Sequence, residues 1–232
     1  MFRVVVSLLV SAVLLSAAPS RSNRKDVLDR LDRSAQILNE VMAASDRAIP
    51  RDLLERAKCL AVIPGLKRAG FIVGAQYGKG VVVCRTAANR WSGPSAVRIE
   101  GGSIGPQIGA GETDLILVVM NDRGVQRLME SQFTMGGDVG VMAGPVGRVS
   151  RAETDALLGS EILSYGRSRG AFAGITVTGA TFRVDNDDNT ALYGRPVDHP
   201  QILRGRIAPP PDTQPFYNAL LKYLPPGTAM GQ

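Results

Sequence analysis

The stretch GRSRGAFAGITVTGATFRV (166–184) decides between two folds. Its first five residues fit G-x-S-x-G, the pattern that places a serine nucleophile on the sharp strand-to-helix turn of an α/β-hydrolase. Asp185, Asp187 and Asp188 follow, then His199, the only histidine in the chain, in the Ser–Asp–His order those hydrolases use. A nucleophile elbow needs a helix after the serine, whose N-terminus helps to hold the oxyanion. Here AFAGITVTGATF follows, with two glycines and a β-branched run, which favour strand over helix. The Asp and His candidates come only 17 to 31 residues after Ser168, too close for the α/β units that separate such triads. His199 stands beside a proline in DHPQ, which reads as an exposed loop. The stretch is therefore strand, and a serine hydrolase using Ser168 is only a remote third reading.

Outward from this stretch the pattern stays β. Ile175 and Val177 share one face, and Phe182 and Val184 another after a parity slip near Gly179, which predicts a β-bulge. DNDDN (185–189) puts Asp185, Asp187 and Asn189 at calcium-loop spacing, but Thr190 stands in place of the glycine and Pro196 in place of the bidentate Glu. A hairpin tip is the better reading. DLILVVM (114–120) is a continuous apolar strand buried on both faces, and FTMGGDVGVMAGPVG (133–147) is glycine-studded strand. CLAVI, GFIVGAQYG, GVVVCR and SAVRIE read as strands joined by tight turns at Pro64, Gly65, Gly78 and Gly80. RAETDALLGSEILSYG (151–166) is ambiguous. Ser150 with Glu153 resembles a capping box, whereas SEILSYG alone reads as strand.

Helices flank this region. Leu28, Leu31, Ala35, Leu38 and Met42 fall on one face of an amphipathic helix over Asp26 to Asp46. That helix either packs on the core or lies on lipid, and its mixed-sign charge speaks for the core. Pro50 starts a second helix, and Asn121 or Asp122 caps a short one with Val125, Leu128 and Met129 inward. PFYNALLKYL (215–224) is a last helix, ended by Pro225 and Pro226. The fold class is α+β, a single domain with an N-terminal amphipathic helix, a strongly bent, Gly-rich, barrel-like antiparallel sheet and a C-terminal helix.

The N-terminus, MFRVVVSLLVSAVLLSAAPS, reads as a signal peptide over residues 1–22, with Arg3 as n-region and Val4 to Leu15 as apolar h-region. Cleavage after Ser20 or Ser22 suits the small residues there, and an uncleaved anchor is the alternative. Residues 23–226 form the domain and 227–232 a tail. Export allows Cys59 and Cys84 to pair, two buried thiols being the alternative. Two cysteines and one histidine exclude a Cys/His zinc cluster, so no metal site is expected. GAQYGKG lacks the phosphate-loop spacing, and the glycines of GGSIGPQIGAGETD miss the dinucleotide register, so no cofactor is expected. Glu112 and Asp114 form one carboxylate pair, which alone makes no acid–base site.

The net charge is +6, with 26 glycines and 5% aromatics among 232 residues. No basic-plus-aromatic platform for nucleic acid is visible, and a basic exported chain meets anionic lipid. Lys67 and Arg68 lie in one expected turn and Lys79 in the next; gathered on one side, these turns would make a positive patch. Trp91, in NRWSGP, anchors at a membrane interface or staples a β-turn, and the staple is favoured.

Four phrases, AKCLAVIPGLKRAGFIVGAQYGKGVVVCR, RWSGPSAVRIEGGSIGPQIGAGETDLILVVMND, GGDVGVMAGPVGR and SYGRSRGAFAGITVTGAT, together resemble the SYLF domain over about Arg24 to Leu224. The resemblance implies phospholipid or phosphoinositide binding and no enzymatic or catalytic role, GRSRGAFAG being a signature of that domain. It also implies lipid contact by basic residues of the N-terminal helical region, here Arg24, Lys25, Arg30 and Arg33. Eukaryotic members bind and bundle actin; with a signal peptide and no SH3 or FYVE-type domain in this chain, the expectation is against actin. The reading is a periplasmic protein on anionic phospholipid, its protein partner unknown. The alternative is an envelope structural or protein-interaction module.

Overall fold

The computed structural model describes residues 22–44, 48–70, 73–104, 109–147, 157, 159–168 and 171–225. The expected signal peptide, apart from Ser22, and the Ser150–Glu153 capping box lie outside the described residues. Helix α1 (Arg24–Ala43) begins where the Asn23 side chain accepts from the Lys25 N–H. A short α2 (Arg51–Arg56) follows, opened by Pro50. Four long strands come next: β1 (Cys59–Gly70), β2 (Val73–Cys84), β3 (Ser95–Ile104) and β4 (Gly109–Val119). After α3 (Asp122–Leu128), capped by Asn121, come β5 (Gln132–Thr134), β6 (Val141–Ala143), β7 (Ile162–Ser168), β8 (Ala171–Gly174) and β9 (Ala180–Val184). The described chain closes with α4 (Asn186–Tyr193), α5 (His199–Leu203) and, after one 3₁₀ turn, α6 (Gln214–Tyr223).

The strand order is β5-β9-β3-β2-β1-β4-β7-β6, with β8 also on β7. Every pairing is antiparallel except β6 with β7, so the sheet is mixed at one end. Chain length forces it to curl. Seven strand gaps of about 4.8 Å would put β5 and β6 roughly 34 Å apart in a flat sheet. Only residues 135–140 join them, and so short a link spans about 24 Å at full extension. The link 175–179 between β8 and β9 imposes the same closure.

Two cores result, one on each face of the central strands. Leu60 and Val62 of β1, and Ile116 and Val118 of β4, point outward to α1, α2 and α6. Cys59, Ala61 and Ile63, and Leu115, Leu117 and Val119, point into the barrel with Phe133 and Phe182. Strands apolar on both faces read as unbroken runs, which is why DLILVVM carries no alternation. Phe133 and Phe182 stack inside at 4.9 Å between ring centroids. Trp91 staples its turn to the C-terminal end of the domain: Nε1 donates to the Leu224 carbonyl at 2.9 Å, and the Arg85 guanidinium lies 4.6 Å over the ring.

Several expectations change. Pro64 and Gly65 do not end a strand. They add one extra residue to β1 against both β2 and β4, a bulge in a continuous 12-residue strand. Gly65 takes φ +60° there, and its N–H donates to Asp114 at 2.9 Å. Gly78 and Gly80 likewise lie inside β2 rather than at turns. A Cβ on Gly80 would lie 2.3 Å from the Val62 carbonyl oxygen, so the bulge packs on the space glycine leaves open. Gly80→Ala is expected to destabilise by about 1–3 kcal/mol, seen as a thermal midpoint lower by roughly 3–10 °C. An unchanged midpoint would mean that the strands part without strain. The parity slip at Gly179 is no bulge either. It separates β8, paired with β7, from β9, paired with β3 and β5. DNDDN is no hairpin tip: Asp185 caps α4, accepting from the Asp188 N–H.

Candidate functional site

The chemistry suggested by G-x-S-x-G is not assembled. Ser168 ends β7, exposed, with its hydroxyl donating to the Glu112 carbonyl at 3.2 Å. His199 is buried at the start of α5, not on an exposed loop. Its Nε2 lies 2.6 Å from the Leu128 carbonyl, which only accepts, so the proton sits on Nε2 and Nδ1 faces the Ser95 hydroxyl at 2.7 Å. Burial lowers its pKa and keeps the ring neutral, against the pull of the Leu128 hydrogen bond and of Asp198. Both ring nitrogens are thus spent on structure, and Asp185 caps a helix.

The basic candidates fare differently from one another. The apolar side of α1, led by Val27, Leu31, Ile37, Leu38 and Val41, is wider than the stripe read from the sequence and faces the outer core. Only its charged side is open, and ion pairs tie that side to the body. The Arg24 guanidinium grips both Asp212 oxygens at 2.7 and 2.8 Å and also donates to the Leu192 carbonyl. Glu40 pairs with Arg167, which also holds Asp114 at 2.6 Å. Lys25 is exposed and pairs with Asp29 one turn on.

Arg30 is committed inward, to Asp188 at 2.6 Å, with that carboxylate 3% exposed. Lys79 reaches the same group from β2, with its ammonium 2.9 Å from Asp185 and 3.0 Å from Asp188. Burial works against the Asp188 charge, but the Ser22 hydroxyl, Arg30 and Lys79 outweigh it and hold the carboxyl below its ordinary range. Burial likewise works against the Lys79 ammonium, and its bonds to the two aspartates win, so its pKa is raised. The two cations thus serve a buried acidic pair, Asp185 and Asp188, that links α1, β2 and α4.

Lys67, Arg68 and Lys79 sit within strands, not in turns. Alternation sends Lys67 and Arg68 to opposite faces, and burial lowers the Arg68 pKa. Lys67 remains exposed. In register it lies directly opposite Tyr77 of β2 and Glu112 of β4, and Tyr77 is 47% exposed. No carboxylate among the described residues comes within ion-pair distance of Lys67. Four of the seven expected cations, Arg30, Arg33, Lys67 and Lys79, line one cleft of about 370 Å³ between α1 and the β1–β2 pair, with Tyr77 at its side. Asp26, Asp29 and Glu112 line it too, and Glu112 lies 3.9 Å from Arg33. The cleft therefore offers two accessible cations, Lys67 and Arg33, beside an exposed aromatic ring. No helix among the described residues is long and apolar enough to cross a membrane.

Sequence reasoning missed α4 and its two acidic anchors, because a run of Asp and Asn resembles a turn. The D-x-x-D spacing of a capping residue was the available signal. The Cys59–Cys84 pair is a disulfide in the barrel interior, joining directly opposed residues of β1 and β2 with Cα atoms 4.0 Å apart.

Comparison of the sequence with known proteins identifies relatives. A family model described as Ysc84, Las17-binding protein actin regulator, matches residues 100–223, just over half of the chain. LAS seventeen-binding protein 3 of Saccharomyces cerevisiae is 38% identical over 185 residues, covering 78% of this chain and 40% of that protein. Protein YSC84 of the same yeast is 37% identical over 185 residues, covering 78% and 39%. SH3 domain-containing YSC84-like protein 1 of Rattus norvegicus is 30% identical over 217 residues, covering 92% and 64%. The chain thus spans less than two thirds of the length of each of these relatives. The first of these is named for binding and the family is described as an actin regulator, which gives no support to the expectation against actin. By the family match and the identity to these relatives, the chain belongs to the Ysc84 (SYLF) family.

Proposed function

We propose that this chain is a non-enzymatic, exported protein of the bacterial cell envelope that docks reversibly on anionic phospholipid. Lys67, free of any acidic partner among the described residues and directly opposite the exposed Tyr77, is the observation that carries the reading. Cations near an anionic surface contribute about 1 kcal/mol each, and tyrosine rings favour the headgroup layer. Arg33 adds a second accessible charge from α1. Export rests on the N-terminal sequence: Arg3, the apolar run to Leu15 and the small residues after it.

The test is co-sedimentation of the mature chain, recovered from the periplasm with its N-terminus read by mass spectrometry. Vesicles of phosphatidylglycerol and of phosphatidylcholine are compared at low and high salt. Binding is expected only to the anionic vesicles and should fade with salt. Lys67→Glu removes one attraction and adds one repulsion, about 2 kcal/mol, so affinity should fall roughly thirty-fold. Equal binding by wild type and variant would remove this cleft from the lipid contact.

A second reading, a protein-interaction module, is favoured by the family's description as an actin regulator. Co-sedimentation with actin filaments in the absence of lipid separates it from the first: filament binding that survives Lys67→Glu would favour the interaction module.

A further inference from the structure

Helices α4 and α5 are each followed by a glycine with left-handed backbone, Gly194 at φ +71° directly after α4 and Gly205 at φ +72° beyond Arg204 after α5, and in each case the next residue is an arginine, Arg195 and Arg206. The two arginines line one cleft of about 480 Å³. Tyr193 and the run Ala208–Pro211 complete its walls, together with Arg24 from the start of α1. The prolines stiffen that wall, Pro210 having the extended φ −60°, ψ 142° of a polyproline strand.

The charge balance here differs from that of the α1–β1 cleft. Among the described residues, no aspartate or glutamate lines this second cleft. Arg24 is fixed and neutralised by Asp212. The Arg195 and Arg206 side chains are exposed and have no ion pair or hydrogen bond among the described residues. The fold has thus brought two guanidinium groups to one concavity, on turns fixed by left-handed glycines, with no carboxylate among the described residues paired to either. Guanidinium groups bind phosphate oxygens through paired, charge-assisted hydrogen bonds, and placement on rigid turns lowers the entropy lost on binding.

We infer that the cleft between the ends of α4 and α5 and the Ala208–Pro211 wall is an anion site for a phosphate group, with Arg195 and Arg206 as its ligating residues. It is separate from the Lys67 cleft and does not depend on it. The phosphate belongs either to a lipid headgroup or to a small soluble compound, and two arms of one experiment tell these apart.

In the first arm, the mature chain is titrated at low salt with inorganic phosphate and with glycerol 1-phosphate by calorimetry and by NMR of the arginine side chains. Saturable binding is expected, with signals of Arg195 and Arg206 shifting. Arg195→Ala/Arg206→Ala should weaken it at least about tenfold per arginine, while Lys67→Glu leaves it unchanged. Both replaced side chains are exposed and have no partner among the described residues, so the thermal midpoint of the double variant should match wild type and exclude misfolding. In the second arm, the same proteins meet phosphatidylglycerol vesicles. Loss of vesicle binding in the double variant assigns the site to a lipid headgroup; vesicle binding retained with loss of the soluble phosphates assigns it to a soluble compound. No saturable binding of either soluble phosphate to wild type, or equal affinity in the double variant, would overturn the inference, whatever Lys67→Glu does to vesicle binding.

Discussion

Asp188→Ala is expected to lower the stability of the domain by about 3–5 kcal/mol, a fall of roughly 10–15 °C in thermal midpoint. Asp188 is the acceptor that Arg30 and Lys79 share among the described residues, with its side chain 3% exposed. Removing it leaves Arg30, itself only 13% exposed, with its charge uncompensated. Breaking a buried pair from one side is far more damaging than never having built it. The pH dependence follows from the two shifts. A depressed Asp188 contributes stability that is complete above the ordinary carboxyl value of about 3.9 and is lost as pH falls through its lower folded value. A raised Lys79 contributes stability that is complete below its ordinary 10.5 and is lost as pH rises through its higher folded value. Wild type should therefore lose this contribution only at the acid and alkaline extremes, and Asp188→Asn should remove the acid limb. Urea and thermal unfolding of the variants across pH measure both effects. A midpoint within two or three degrees of wild type for Asp188→Ala would mean that water already screens the cluster.

Loss of the Cys59–Cys84 bridge is expected to lower stability by about 3.5 kcal/mol, from the loop entropy released when residues 25 apart are no longer joined. The two residues face each other across β1 and β2, whose ladder fixes them whether or not the bond is made. Reduction, or replacement of both cysteines by alanine, should therefore keep the fold while lowering its thermal midpoint by about 10 °C. Alkylation under denaturing conditions without reductant should label neither cysteine. Labelling of both would show two thiols and remove the expected loss.

The sequence is most informative where a residue's environment is set by its near neighbours. The 3–4 spacing gave α1, the apolar run gave β4, and Asn121 gave the start of α3. The curl of the sheet was legible in the glycine content, although the placement of its bulge at Pro64–Gly65 was not, since proline and glycine together read as a strand end. The site was harder to read because its electrostatics are long-range. Arg30 and Asp188 are 158 residues apart, and Lys79 and Asp188 are 109 apart. Counting cations along the chain therefore gave Arg30 and Lys79 the same standing as Lys67, whereas folding spends the first two on a buried cluster. Arg195 and Arg206 escaped notice for the converse reason: eleven residues apart in an irregular stretch, they share a cleft only because two short helices end on the same side.

The packing of α1 against α6 has a consequence for when the molecule takes shape. Val27, Leu31 and Leu38 enclose the outer core together with Phe216, Leu220 and Leu224, so its first and last contributors are nearly the whole described chain apart. During synthesis, which proceeds from the N-terminal side, α1 waits for a partner that follows the whole sheet. A nascent chain that has reached only β9 exposes Leu60, Val62, Ile116 and Val118 without their complete cover. A fragment that stops before α6 lacks Phe216, Leu220 and Leu224, and so cannot close the outer core. A chain that stalls before α6 presents an open apolar surface to the holdases and proteases that remove incomplete chains.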